Sequence, residues 1–176
     1  VPMIKVLHDN FEVTNGMMTT IHSYTRDQNL VDSKHKDLRR ARAAASNIIP
    51  TSTGAANAIS KIIPELENKI NGMSFRVPTS TVSVVDLVTT LKKHPSPDDI
   101  NNAFYEVAKN EMNGYLFFEK EKLVSSDFKK HSASCIFDSD STLIVDQNIA
   151  KTIGWYDNEW GYACRIIDLC SLISRK

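Results

Sequence analysis

Val82-Ser83-Val84-Val85-Asp86-Leu87-Val88-Thr89-Thr90-Leu91 is a run rich in Val and Thr. That is strand composition, because a branched Cβ packs well on a pleated surface and loses rotamer freedom in a helix. Just before it, Pro78-Thr79-Ser80-Thr81 separates a second β segment, Met73 to Val77, and so short a connection predicts antiparallel pairing of the two. Downstream, Ser96-Pro97-Asp98-Asp99 supplies a capping hydroxyl, a first-turn proline and two acids suited to a helix N-terminus. Ile100, Ala103, Phe104, Val107 and Ala108 follow as its buried stripe. Further strand-like pieces occur at Tyr115 to Phe118, Ser134 to Phe137, Thr142 to Asp146 and Thr152 to Tyr156. A last helix is expected to bury Tyr162, Ile166, Leu169, Cys170 and Ile173. Strands and helices do not alternate strictly, so the expected fold class is α+β, a mainly antiparallel mixed sheet with helices packed on one face.

Upstream of the opening stretch, Ile4, Val6, Leu7 and Phe11 read as the end of an amphipathic helix already under way, which predicts chain before Val1. Asn15-Gly16 is a turn dipeptide, and the β-rich run Met17 to His22 delivers His22 to the end of a strand. Ser23 to Arg42 is polar, basic and aperiodic, a long loop of the kind that usually binds something. Ile48-Ile49-Pro50 leads in extended form to Thr51-Ser52-Thr53-Gly54. Ala55, Ala56, Ala58, Ile59, Ile62 and Ile63 then recur at helical spacing up to Pro64. No repeat or Gly/Ser linker divides the chain, so residues 1–176 read as one domain.

With 21 basic and 21 acidic side chains the formal charge is zero. No global field favours nucleic acid or an anionic membrane, so neither is expected as a partner and any anion site must be local. Cys135, Cys164 and Cys170 cannot all pair and none stands in a CxxC spacing, which suits a reducing, cytoplasmic location. The longest apolar runs fall well short of the roughly 20 residues that span a bilayer.

Several residues invite chemistry. His22, at a strand end beside a basic loop, is placed for general-base work, with a structural histidine as the alternative. His8, His35, His94 and His131 carry less signal, and none of the five has the paired spacing of a helical zinc site, so no metal is expected. Thr51 to Ala56 sets hydroxyls and a glycine at a helix start, where free N–H groups favour an anion such as phosphate; an ordinary cap is the plainer account. Arg76 interrupts an apolar strand, a costly place for a cation without a carboxylate or bound anion. Arg39, Arg40 and Arg42 pose the same question against a solvated face. Trp155 to Tyr162 packs aromatics around Asp157, Asn158 and Glu159 at a strand-to-helix turn, which suits either a flat ring with a carboxamide or a simple helix cap.

Taken together these segments resemble the catalytic domain of the phosphorylating glyceraldehyde-3-phosphate dehydrogenases over nearly the whole chain. The resemblance rests on Thr19-Thr20-Ile21-His22-Ser23-Tyr24-Thr25, His35 to Arg42, Ile48 to Ala56, Phe75 to Thr79, Val82 to Leu87 and the Trp155 to Tyr162 block, and is thinnest over Lys92 to Lys122. It implies oxidative phosphorylation of glyceraldehyde 3-phosphate to 1,3-bisphosphoglycerate with NAD, in a homotetramer. By this likeness His22 activates a cysteine thiolate, assists hydride departure from the thiohemiacetal and assists acyl transfer to phosphate. Thr25, Arg40 and Arg76 match residues around the substrate-phosphate and inorganic-phosphate sites, with Thr53 and Gly54 at the latter. Asn158 and Tyr162 match the pair that holds and flanks nicotinamide. The family's nucleophilic cysteine and its NAD-binding domain lie ahead of the position of Val1. Cys135, Cys164 and Cys170 do not match that cysteine, no GxGxxG is present, and this segment alone is expected to be inactive.

Two positions depart from the family pattern. Ser80-Thr81 replaces the usual Pro-Asn, and Ser33-Lys34 replaces the Leu-Pro of many NAD-specific bacterial members, which puts cofactor choice in question. A lysine there suits the 2′-phosphate of NADP, so some tolerance of NADP is expected. Two other readings remain: an erythrose-4-phosphate dehydrogenase, which usually lacks the Ser-Thr-Gly reading within Thr51 to Ala56, and a non-catalytic assembly or anion-binding module.

Overall fold

The computed structural model describes residues 1–175, apart from the side chains of residues 56 and 57. Ala56, counted above in a helical stripe and a phosphate motif, lies outside the described side chains. The elements run α1 (Pro2–Phe11), β1 (Val13–Ser23), β2 (Ile49–Ser52), α2 (Ala55–Ile62), β3 (Ile70–Val77), β4 (Ser83–Leu91), α3 (Pro97–Lys109), β5 (Leu116–Glu119), β6 (Cys135–Val145), β7 (Ile149–Tyr156) and α4 (Trp160–Ser174). The fold is α+β around one seven-stranded sheet of order β2-β3-β1-β4-β7-β6-β5.

The sheet is mixed rather than mainly antiparallel: β1 runs parallel to β3, and β5 parallel to β6. The two β segments flanking Pro78 to Thr81 are not partners. β1 lies between them, pairing with β3 on one side and antiparallel to β4 on the other. Nor does Asn15-Gly16 form a turn, since both residues lie inside β1. Close approach explains a second glycine. A Cβ on Gly72 would fall 2.4 Å from the Met18 carbonyl oxygen across the parallel β1/β3 junction, so a side chain there would push the strands apart.

One face of the sheet carries the core. Met3, Ile4, Val6 and Leu7 of α1, Ile59 of α2, and Ile100 and Phe104 of α3 join Met18, Leu87, Phe137 and Ala150 of the sheet. Phe104 stacks on Phe137 at 3.7 Å between ring centroids. The α3 start is built as its sequence suggests: Ser96 Oγ accepts the Asp99 N–H, and the Asp99 carboxylate accepts the Ser96 N–H. In α2 only Ile59 of the described stripe within the helix is buried, with Ile63 just beyond it, while Ala55, Ala58 and Ile62 are exposed.

The last helix departs most from expectation. Tyr162, Ile166, Leu169, Cys170 and Ile173 are all exposed, and Gly161 is the buried residue of α4. Arg165 still packs over the Tyr115 ring and donates to Ser134, and beyond it the described residues of α4 are exposed. Among the described residues no helix is long and apolar enough to cross a membrane.

Candidate active site

The strand directions concentrate chemistry at one end of the sheet. Because β1 and β3 are parallel, His22 and Arg76 are register partners near their C-terminal ends. β4 enters the same end with Ser83, and β7 leaves it at Tyr156, the register partner of Ser83. An antiparallel β3 beside β1 would have sent Arg76 and His22 to different ends.

His22 and Arg76 are in direct contact: Arg76 Nη1 lies 2.7 Å from His22 Nδ1 and donates to the Ser23 carbonyl at 3.0 Å. His22 Nδ1 is also 2.7 Å from that carbonyl. A guanidinium only donates, so Nδ1 either accepts from Arg76 or, protonated, donates to Ser23; one tautomer makes one of the two bonds. Burial lowers the His22 pKa below 6.5; the hydrogen bond to Ser23 opposes it, the Arg76 charge adds a smaller push downward, and Asp27 and Glu159 oppose it least. The imidazole is therefore neutral at neutral pH and able to take up a proton. Its ring meets Tyr156 edge-on at 6.0 Å.

Asp27, which motif reading passed over, organises the cationic side of the site. Its carboxylate accepts from the Thr25 hydroxyl and from Arg40 Nη1 at 2.6 Å, and lies 3.9 Å from Arg76 Nη2. The Thr25 hydrogen bond first, then Arg40 and Arg76, hold the Asp27 carboxyl below its ordinary pKa against the opposing effect of burial. Arg40 also grips Thr51 Oγ1 through Nε at 3.0 Å and Nη2 at 2.7 Å, which ties the long loop to β2. Thr53 Oγ1 accepts the Ala55 N–H at 3.2 Å, and Gly54 stands at the N-cap of α2 with open space where a Cβ would sit.

Two clefts meet at His22. The first, about 460 Å³, is lined by His22, Arg76, Thr53, Gly54 and Tyr156 and by Val1 and Pro2 at the start of α1. The second, about 350 Å³, is lined by His22, Tyr156, Asn158, Tyr162 and Arg165. The predicted residues thus fall into two groups with His22 common to both, while Thr25 and Arg40 join the first through Asp27 and Thr51 rather than by lining it. Arg39 stays outside this network, and Arg42 pairs with Asp32 at 3.1 Å instead. Cys135 also faces the first cleft, but its thiol is buried and pushed up to about 12, so it is no nucleophile at neutral pH.

The residues around Trp155 to Tyr162 divide between cap and site. Buried Asp157 accepts from the backbone N–H of Glu159, Trp160 and Lys130 and from Thr81 Oγ1, all within 3.0 Å. Burial by itself would raise its pKa, but these donors outweigh that and hold the carboxyl below 3.8. Thr81, one of the two departures from the family pattern, is therefore part of the structure that starts α4. Asn158 Oδ1 accepts from Ser23 Oγ and Ser83 Oγ, a pair of buried serines that no motif had singled out. Tyr162 is 69% exposed on α4 at the mouth of the second cleft.

A sequence model described as the glyceraldehyde 3-phosphate dehydrogenase C-terminal domain matches residues 1–158. The chain belongs to this family. The glyceraldehyde-3-phosphate dehydrogenase of Geobacillus stearothermophilus is 50% identical over 175 residues, covering 99% of this chain and 52% of that protein. That of Priestia megaterium is 51% identical with the same coverage. Glyceraldehyde-3-phosphate dehydrogenase A, chloroplastic, of Chlamydomonas reinhardtii is 49% identical, covering 99% of this chain and 47% of that protein. The chain spans about half the length of the curated relatives it matches. The observed sheet end brings His22, Arg76, Thr53 and Gly54 to one cleft and His22, Asn158 and Tyr162 to the adjoining one.

Proposed function

We propose that the complete protein is an oxidoreductase converting glyceraldehyde 3-phosphate, inorganic phosphate and NAD to 1,3-bisphosphoglycerate and NADH, and that this segment is its catalytic domain. The observation that carries the reading is the place of His22. It is neutral, touches Arg76 at 2.7 Å, and stands on the wall common to the two clefts.

In this reading the chemistry needs a thiolate from chain preceding Val1. Val1 and Pro2 line the first cleft together with His22. His22 takes the thiol proton as sulfur adds to the aldehyde carbon. It returns that proton to the new alkoxide, giving the thiohemiacetal, and takes it up again as hydride leaves; phosphate then attacks the resulting thioester and expels the thiolate. NAD supplies the hydride acceptor. Arg76 and Arg40, braced by Asp27 and Thr25, offer planar donors to the two phosphate groups, with Thr53 and Gly54 adding a hydroxyl and an unhindered backbone at the α2 start. Asn158 holds the nicotinamide carboxamide and Tyr162 flanks the ring.

NAD is the preferred cofactor, with some use of NADP through exposed Lys34 in the long loop. The working assembly is a homotetramer in the cytoplasm. His22→Ala in the complete protein is expected to lower turnover by about 10²- to 10⁴-fold while leaving the phosphate dependence intact. A near-normal rate would remove His22 from this role. Undetectable NADP use in the wild type, or NADP use unchanged by Lys34→Ala, would do the same for the cofactor assignment.

A further inference from the structure

Asn158 is held at both ends of its amide. Its Oδ1 accepts from Ser23 Oγ at 3.0 Å and from Ser83 Oγ at 3.1 Å, while its Nδ2 donates to Glu159 Oε1 at 3.2 Å. Which end of an amide is oxygen is settled by its partners. Ser83 Oγ accepts the backbone N–H of Ser23 at 3.2 Å. One lone pair of Ser83 is thereby occupied, and its proton goes to Asn158 Oδ1 at 3.1 Å. The Glu159 carboxylate only accepts, which fixes the other end as nitrogen. Ser23 and Ser83 are 0% and 2% exposed, so water cannot substitute for either hydroxyl without entering the core.

We propose that Ser23 and Ser83 are positioning residues that lock the Asn158 amide so that it presents an N–H, and not its oxygen, to the carboxamide oxygen of a bound nicotinamide ring. The proposal rests on the second cleft being the nicotinamide site. Nδ2 has two protons; one meets Glu159 and the other is left for the ligand. β1 and β4 bring the two hydroxyls to the same sheet end, Ser23 directly after His22. The element that carries the proposed base therefore also orients the cofactor contact, one residue apart.

The lock predicts a specific pattern in cofactor use by the complete enzyme. With the amide fixed, NAD and its 3-acetylpyridine analogue, which keeps the ring-borne carbonyl oxygen but lacks the amide N–H, receive the same Asn158 donor. In Ser83→Ala the amide is free to turn. A turned amide can still accept from the NAD carboxamide but has nothing to offer the acetyl group. KM is expected to rise about threefold for NAD and tenfold or more for the analogue, shifting the preference between them by several-fold. A general weakening of the site would scale both cofactors alike and leave that ratio unmoved. Ser23→Ala removes one donor while sparing the Ser83 hydroxyl, and is expected to shift the ratio in the same direction by less. It also serves if Ser83→Ala fails to fold. An unchanged ratio in a folded Ser83→Ala or Ser23→Ala enzyme overturns the proposal. Asn158→Ala with an unchanged KM for NAD would instead overturn the assignment of the cleft itself.

Discussion

His22 and Arg76 are register partners on parallel strands, and the guanidinium nitrogen of one lies 2.7 Å from the ring nitrogen of the other. Burial holds the His22 pKa below 6.5, and a fixed cation at that distance adds a smaller push in the same direction. Arg76→Gln removes the charge and leaves the burial. The acid limb of the pH–rate profile of the complete enzyme should therefore move up toward 6.5, alongside weaker phosphate binding. An imidazole titration by NMR checks the same point without turnover; an unmoved His22 resonance midpoint would show that the guanidinium charge is not felt. For stability the sign is also fixed. Just below 6.5 the unfolded chain binds more protons at this position than the native one, so stability is lost as pH falls through that window.

Arg40 has a binding role and a structural one. Its ion pair with Asp27 is partly solvent-exposed, and pairs of that kind contribute at most about 1 kcal/mol. A bidentate arginine contact to phosphate is worth more, about 1.5–3 kcal/mol. Arg40→Met should raise the phosphate KM of the complete enzyme by ten-fold or more and, because it also breaks two hydrogen bonds to buried Thr51, cost about 1.5–3 kcal/mol in urea unfolding. A large stability loss with an unchanged phosphate KM would reverse the assignment.

Asp157 should act through stability. It is 3% exposed and accepts from three backbone N–H groups and the Thr81 hydroxyl. Asp157→Ala leaves these donors buried and unpaired, at an expected cost of about 2–4 kcal/mol in urea unfolding. Its folded pKa is depressed below 3.8, so its contribution is present above that value and disappears as pH falls through the folded pKa. Thr81→Val tests one of the four donors and should cost about 1 kcal/mol.

The α4 helix carries Ile166, Ile167, Leu169, Leu172 and Ile173 exposed, an apolar patch that favours association. This chain by itself should sediment as a concentration-dependent mixture, and Ile167→Lys combined with Leu172→Lys should return it to a monomer. A compact monomer at high concentration before any substitution would count against the patch as an association surface.

Local rules were legible where a neighbouring residue enforces them. The Ser96 to Asp99 helix start needs only residues within one turn, and it formed as its sequence reads. The polar loop from Ser23 to Arg42 and the strand delivering His22 were equally local. Asn15-Gly16 was misread because a turn dipeptide states only what the backbone tolerates; pairing on both sides holds it in β1.

The sequence by itself determined the family, through its likeness to known relatives, and the α+β class and the types of residue available for proton transfer and anion binding, through composition and short-range spacing. Tertiary structure alone decided which of them meet. Inserting β1 between β3 and β4 makes β1 and β3 parallel, and that direction puts Arg76 beside His22 and brings Ser23 and Ser83 to Asn158. Strand direction is settled by the sum of sheet pairings and core packing across the whole domain. No short window contains that sum, which is why Asp27 had no motif to announce it and the two serines, though inside motifs, carried no role there.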